Sequence, residues 1–329
     1  MILNFLILTL YCTFFFIFQK KIANLFQLFD YPDGKNKTHV GNVPYTGGIG
    51  YLIFIILTIY LFYHTEEKFI FFGSFSENKL IILLFFLSVF FIGLIDDKFF
   101  LKPSHKLIYL SILFFLFLNL IPDYQLKNLR FMNNSIDLGS FSIIFTIFCL
   151  LAFSQSFNMY DGINSQSGIY LAFVFLNFGL LTGSFFFYFQ ILYLIFFLFY
   201  NHKNKIFLGD NGTYLFSIII SIICIQLYKV GLIDIDQIIL IMFIPGIDMT
   251  RLFFQRIWTS NSPFKGDRNH LHHLLINKYG QIKTNFINIL ICSIKTLFTV
   301  KFSAEIGIII LFTIYFFLIL NKKSTNFDK

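Results

Sequence analysis

The sequence is poor in charge: only 13% of its 329 residues are Asp, Glu, Lys or Arg, well below the share a soluble domain needs to cover its surface. Proline is also scarce, at 6 residues, and no Pro/Gly/Ser-rich linker, internal repeat or low-complexity stretch breaks the chain into separate domains. The whole of 1–329 therefore reads as one unit. The four cysteines, Cys12, Cys149, Cys224 and Cys292, stand singly inside apolar runs, which excludes a disulfide framework and a cysteine metal site. The net charge of +8 is not arranged as a Lys/Arg stripe interleaved with aromatics, so nucleic acid is excluded as a partner.

What is present instead is apolar mass, with 57% hydrophobic residues and 51 phenylalanines. Runs occur near residues 2–18, 47–63, 79–95, 107–121, 140–157, 167–182, 185–200, 213–228, 237–254, 285–300 and 304–320. Several reach about 17–20 residues without the charged opposite face of a soluble amphipathic helix, which is the length a bilayer demands. The expectation is an all-α polytopic membrane protein of ten or eleven transmembrane helices embedded in the lipid bilayer. Met1 to Phe18 lacks a basic leader and a small-residue cleavage site, and Lys20 and Lys21 follow it, so it reads as a retained span with its N-terminus outside.

Alternating sides puts the loops after runs one, three, five, seven and nine on one face with the C-terminal tail. Roughly 18 of the 25 Lys/Arg fall there, which makes that face cytoplasmic by the positive-inside rule. The same loops hold the polar residues that can do chemistry. Asp96 and Asp97 end the run closing Gly93-Leu94-Ile95, two carboxylates at a membrane boundary that need a cationic partner. Asp210 lies in Phe207-Leu208-Gly209-Asp210-Asn211-Gly212-Thr213, a turn that opens a helix and lets a phosphate or metal approach. Asn158 and Asp161 are spaced i, i+3 ahead of Gly162 and share a face if the helix continues that far; an Asp-Gly turn is the plainer alternative.

Two loops are basic. Lys35, Lys37 and His39 precede Pro44 and Gly47-Gly48, and the last long loop runs from Ser262 through Asp267-Arg268 to His270, His272 and His273, with Arg251 and Arg256 before it. Three histidines in four residues suggest zinc, but no cysteine accompanies them and the surrounding basic groups repel a divalent cation while attracting phosphate. Carboxylates and cationic groups on one membrane face suit metal-assisted transfer at a pyrophosphate, with the spans accommodating a lipid co-substrate.

On these motifs the chain resembles the polyprenyl-phosphate N-acetylhexosamine-1-phosphate transferases. The matching pieces, in family order, are Pro32-Asp33 to Gly48, Gly93 to Asp97 with Lys106, Asn158 to Gly162, Phe207 to Gly212, and Ser262 to His273. The branch it is most similar to starts O-antigen, enterobacterial common antigen and teichoic acid chains. The resemblance implies a UDP-N-acetylhexosamine donor, undecaprenyl phosphate as acceptor, and Mg²⁺, or Mn²⁺ in its place, with a homodimer also allowed. It implies that Asp96, Asp97 and Asp210 are catalytic, with Asp210 and Asp97 on the metal. It further implies that Asn158 and Asp161 hold the uridine, that Phe207 stacks on uracil, and that Lys106, Arg268, His270, His272 and His273 meet phosphates, beside Lys35 and His39. Within the family, phospho-MurNAc-pentapeptide translocase is the alternative, disfavoured by the His-Leu-His-His after Arg268. A transporter is the alternative from another class, disfavoured by spans that read as almost purely apolar. The chain departs from the family pattern at Gln155, where Asn is common, and at Asn164-Ser165, where Asp-Gly is usual.

Overall fold

The computed structural model describes residues 1–32, 41–62, 78–131, 134–260, 262 and 268–320. Among them are eleven α-helices: α1 (Ile2–Phe26), α2 (Gly47–Phe62), α3 (Lys79–Phe99), α4 (Pro103–Leu120), α5 (Ser142–Tyr160), α6 (Gln166–Thr182), α7 (Phe185–Asn201), α8 (Gly209–Lys229), α9 (Ile235–Trp258), α10 (Leu271–Val300) and α11 (Ala304–Leu320). Six are long and apolar enough to cross a membrane by themselves, and α2, α6, α7 and α11 are shorter apolar helices. The chain is an all-α, multi-pass membrane protein. Its outward side chains agree: Leu10, Phe14, Ile112, Phe148, Ile309 and Phe316 are exposed large apolar residues, as a lipid-facing surface requires.

Helix α8 is the axis of the bundle. Its candidate span is wholly buried, and it packs against α2, α3 and α5. A helix apolar all round can sit there because no face has to meet solvent. Two of its polar side chains bond inside the bundle: Ser217 Oγ donates to the Tyr214 carbonyl at 2.8 Å and Gln226 Nε2 to the Tyr124 hydroxyl at 3.0 Å. Tyr51 of α2 stacks on Phe216 at 3.7 Å between ring centroids.

Two short antiparallel strand pairs lie outside the helices, Phe29–Asp30 with Val43–Pro44 and Asn128–Phe131 with Asn134–Asp137. Sequence periodicity does not disclose them, since two to four residues are too few to show an alternation.

The spans are less purely apolar than the sequence suggested. Pro245 sits inside α9 and cannot donate to the Ile241 carbonyl. That carbonyl is taken up from two other helices, by the Tyr170 hydroxyl at 2.9 Å and Lys295 Nζ at 3.2 Å. Lys295, 1% exposed, also lies 4.1 Å over the Tyr170 ring. The Ile241 carbonyl, shared by a tyrosine and a buried lysine, therefore ties α6, α9 and α10 together around a proline break.

Helix α10 starts earlier than its apolar run. Gly280, at φ 76°, ψ 167°, breaks it, and the segment before that break, carrying His272, His273, Asn277 and Lys278, stands off the apolar stretch that follows. Leu271 and Leu275 anchor this segment on Tyr315 of α11.

Candidate active site at one end of the bundle

The turns after α1, α3, α5, α7 and α9, separated by up to about two hundred residues, meet at one end of the bundle, as the alternation of sides required. Contacts between backbones set the approach. Phe207 N–H donates to the Pro44 carbonyl at 2.8 Å, and the Phe207 and Leu208 carbonyls accept from Gly47 and Gly48 N–H, each at 3.0 Å. Glycine is needed at position 48 because a Cβ there would stand 2.0 Å from Asn211 Oδ1 and 2.3 Å from Gly212 N. Gly93 does the same for α3, where a Cβ would meet Asn211 Cα and the Asp210 carbonyl, each at 2.5 Å.

This close approach brings Asp97 to the start of α8. Its Oδ1 accepts from Asp210 N–H at 2.7 Å, its Oδ2 accepts from Asn211 N–H at 3.0 Å, and the Asn211 side-chain amide donates to Oδ2 as well. Asp97 is thus an N-cap supplied by another helix, satisfying first-turn donors that α8 cannot satisfy itself. The sequence reading placed Asp97 beside Asp210 as a metal ligand. The structure puts it beside Asp210 with both oxygens already accepting.

Asp96, 2% exposed, points to the other side of the same helix end. Its Oδ1 accepts from Leu101 N–H at 2.9 Å, which closes the turn into α4. Lys106, one turn into α4, pairs with Asp96 and with Asp210 Oδ2, the latter at 3.3 Å. Asn158 Nδ2 donates to Asp210 Oδ1 at 2.7 Å and to Thr213 Oγ1 at 2.9 Å. Four helices therefore deliver Asp96, Lys106, Asn158 and Asp210 to one point. Asp96 and Asp210 supply the hard carboxylate oxygens that suit a divalent cation, which would bind there only as the Lys106 ammonium that now pairs with both moves aside.

Helix α5 ends at Tyr160, so Asp161 is its non-helical C-cap (φ −75°, ψ 54°) and does not continue the face of Asn158. Burial raises the Asp161 carboxyl to about 6; the Ser167 hydroxyl opposes this and the charge of Asp210 adds to it. Gly162 beside it is covered by the His272 ring, whose Nε2 would be 2.1 Å from a Cβ at that position. His272 is 2% exposed, and burial, then the neighbouring His273 and His270, hold its imidazole well below the usual range. Its ring packs over Gly162, where the resemblance implies a phosphate contact. His270 stacks on His272 at 5.3 Å with 10° between planes, and His273 lies 4.3 Å from His272. Arg268 is exposed just before them.

Phe207 is half-buried, its ring 6.3 Å from Tyr45 at the mouth of the site. The departure at Asn164-Ser165 has a structural form. Asn164 Nδ2 donates to Asn204 Oδ1 at 2.6 Å, joining two turns of the site, and Ser165 takes φ 71°, the left-handed conformation in which glycine is at ease. Lys35, His39 and Asp267 lie outside the described residues. Asp248, which the sequence reading passed over, proves to be the hub of the histidine segment. A lone carboxylate inside an apolar run, three residues before Arg251, was the signal available.

The comparisons agree with this geometry. The model for Glycosyl transferase family 4 matches residues 79–228, which spans α3 to α8 and holds Asp96, Asp97, Lys106, Asn158, Asp161, Phe207 and Asp210. Over residues 79–228 the chain is similar to glycosyl transferase family 4. Relatives of this chain include the undecaprenyl-phosphate alpha-N-acetylglucosaminyl 1-phosphate transferase of Escherichia coli (strain K12), 25% identical over 94% of this chain and 87% of the relative. The protein of the same name from Thermotoga maritima is 27% identical over 82% of this chain and 79% of its own length, and that of Yersinia pestis 24% over 80% and 73%. The family match over 79–228 and the convergence of Asp96, Lys106, Asn158 and Asp210 mark one end of the bundle as the candidate active site.

Proposed function

We propose that this protein transfers a sugar 1-phosphate, from a UDP-N-acetylhexosamine, to undecaprenyl phosphate, releasing UMP. The observation that carries the reading is the cluster of Asp96, Lys106, Asn158 and Asp210 at the end of a membrane bundle, where a lipid-borne phosphate and a water-soluble donor can meet. The names of the relatives support the acceptor and the class of transfer. The basic loops on the same face support a cytoplasmic site in a bacterial inner membrane, with the N-terminus outside.

In this reading a prenyl phosphate oxygen attacks the β-phosphorus of the donor. A new P–O bond forms, the bond from that phosphorus to the bridging oxygen breaks, and the electron pair leaves with UMP. No covalent enzyme intermediate is required. Asp210 and Asp96 would hold Mg²⁺, with Asp97 fixing the Asp210 turn through its amide hydrogen bonds. Bound there, the ion supplies charge neutralisation at the diphosphate.

Lys106 changes partner from carboxylate to phosphate as the anion arrives and so helps to offset developing charge. Asn158 keeps Asp210 oriented, Asp161 and Phe207 receive the nucleoside, and Arg268 and His270 meet phosphate oxygens, beside the Lys35 and His39 loop.

Incubating the detergent-purified protein with undecaprenyl phosphate, Mg²⁺ and UDP-GlcNAc, UDP-GalNAc or a 6-deoxy analogue tests this by UMP release. UMP from one donor, abolished by EDTA and by Asp210→Asn, is the expected result. Release that persists in EDTA would overturn the metal assignment, and silence with every donor would overturn the proposed reaction.

A further inference from the structure

Asp248 lies in α9, 5% exposed, three residues past Pro245. Its Oδ1 accepts from the Tyr315 hydroxyl at 2.7 Å, Arg251 Nη2 at 2.8 Å and Leu271 N–H at 3.2 Å. Its Oδ2 faces His270 Nδ1 at 2.9 Å and Leu271 N–H at 3.3 Å. Arg251 extends the hub, with Nη2 donating to the Asn269 carbonyl at 2.7 Å and Nε to Tyr315 at 2.6 Å. Residues 269, 270 and 271, the entry into α10, are thereby pinned by one carboxylate and its arginine.

The ligand atoms of Asp248, His270 and His272 also lie within 4.8 Å of one another, a spacing that suits a metal ion. A guanidinium 2.8 Å from the carboxylate argues against a second cation there, and both oxygens are already filled by donors. A carboxylate only accepts, so the ring proton sits on Nδ1 and Nε2 is the atom left to act. Second-sphere carboxylates fix histidine tautomers in this way at metal and catalytic centres.

We propose that Asp248 is a positioning residue that sets the tautomer and orientation of His270, so that Nε2, with a second proton, donates to a phosphate of the bound donor. This rests on the transfer reaction proposed above. A chain of contacts leads from His270 toward the carboxylate site. The His270 ring stacks on His272, which packs over Gly162 next to Asp161, and Asp161 feels the charge of Asp210. The groups around His270 are Asp248 and Arg251 from α9, Tyr315 from α11, and His272 and His273 from its own helix. Asp248 thus anchors the histidine segment, which like Asp248 itself lies beyond the span of the family match, and His272 of that segment meets the carboxylate site at Gly162.

Asp248→Asn, His270→Gln and the double variant test the idea in the UMP-release assay, with imidazole ¹⁵N NMR of histidine-labelled protein as a readout that needs no turnover. His270→Gln identifies the His270 signals. The expected tautomer in the wild type is Nδ1–H, lost in Asp248→Asn. Asp248→Asn should lower kcat/KM about 10- to 100-fold, and the double variant should be no slower than His270→Gln alone. Multiplying penalties in the double variant, an Nε2–H tautomer in the wild type, or activity that zinc alone restores after chelation would each overturn the proposal. The wild-type tautomer is decisive even if Asp248→Asn does not fold. A silent wild type that nonetheless shows the Asp248-dependent tautomer would overturn the transfer reading and leave the Asp248–His270 coupling in place.

Discussion

Gly93→Ala asks whether the backbone approach of α3 to α8 builds the site. The new Cβ would stand 2.5 Å from Asn211 Cα and from the Asp210 carbonyl oxygen and 2.6 Å from Asn211 N, where ordinary contact begins at 3.4 Å. Backbone atoms cannot swing aside as a side-chain end can, so the two helices must separate by about 1 Å at this level. The bonds from Asp97 to the Asp210 and Asn211 amides, now 2.7 and 3.0 Å, would then open to about 3.7–4 Å, past hydrogen-bonding reach. Overpacking of this kind costs about 1–3 kcal/mol, a loss that a large helical bundle survives. Catalysis is less tolerant, since a displacement of about 1 Å between reacting groups costs on the order of 100-fold. The expected result is a folded protein with a slightly lower melting temperature and a kcat reduced about 100-fold in the UMP-release assay. Gly246→Ala is the control, because nothing lies within 4 Å of its Cβ; as a helix-interior change it should raise stability by about 0.5–1 kcal/mol and leave the rate alone. A Gly93→Ala enzyme within about threefold of wild type would refute the argument that this contact sets the carboxylate geometry.

Three further outcomes are expected. Asp161, with its carboxyl raised to about 6 by burial, should give kcat/KM an acid limb near that pH, absent in a uniformly slow Asp161→Asn; a limb at the ordinary carboxylate value near 4 would count against it. Because the folded value lies above the unfolded one, the fold binds the extra proton, and stability should decline as pH rises from about 4 to about 6 and level off above. Ser165→Gly should raise stability by about 0.5–1 kcal/mol in a thermal melt, since Ser165 holds φ 71° while its N–H bonds Asn201 Oδ1; a lower melting temperature would show that the serine earns its place by contacts. Lys295→Met should be tolerated, because Tyr170 still serves the Ile241 carbonyl, whereas the double change with Tyr170→Phe orphans that carbonyl and should cost about 1–3 kcal/mol more; equal melting temperatures for the single and double variants would refute the tie.

The reach of the sequence differs from one element to the next. Helices α2, α6, α7 and α11 match their apolar runs within a residue or two, because in lipid each helix satisfies its own backbone and the run is the helix. Helix α10 begins ahead of its apolar run, since 271–279 is a polar, partly buried segment whose helicity depends on packing against Tyr315. Asp248 and Lys295 were obscured by the apolar residues around them. Their partners, Tyr315 and the Ile241 carbonyl, are 67 and 54 residues away.

By itself the sequence determined that the chain crosses a membrane many times, which turns share a face, and which carboxylates, amides and basic groups those turns contain, because hydropathy, charge bias and local turn chemistry act over short stretches. Only the tertiary structure decided what each group does. It made Asp97 the cap of α8, set Lys106 between Asp96 and Asp210, buried His272 against Gly162 and gave His270 to Asp248. The physical reason is range: a carboxylate's role depends on the donors that reach it, and those at Asp97 come from residues 113 and 114 positions along the chain, brought near by glycines at the helix contacts.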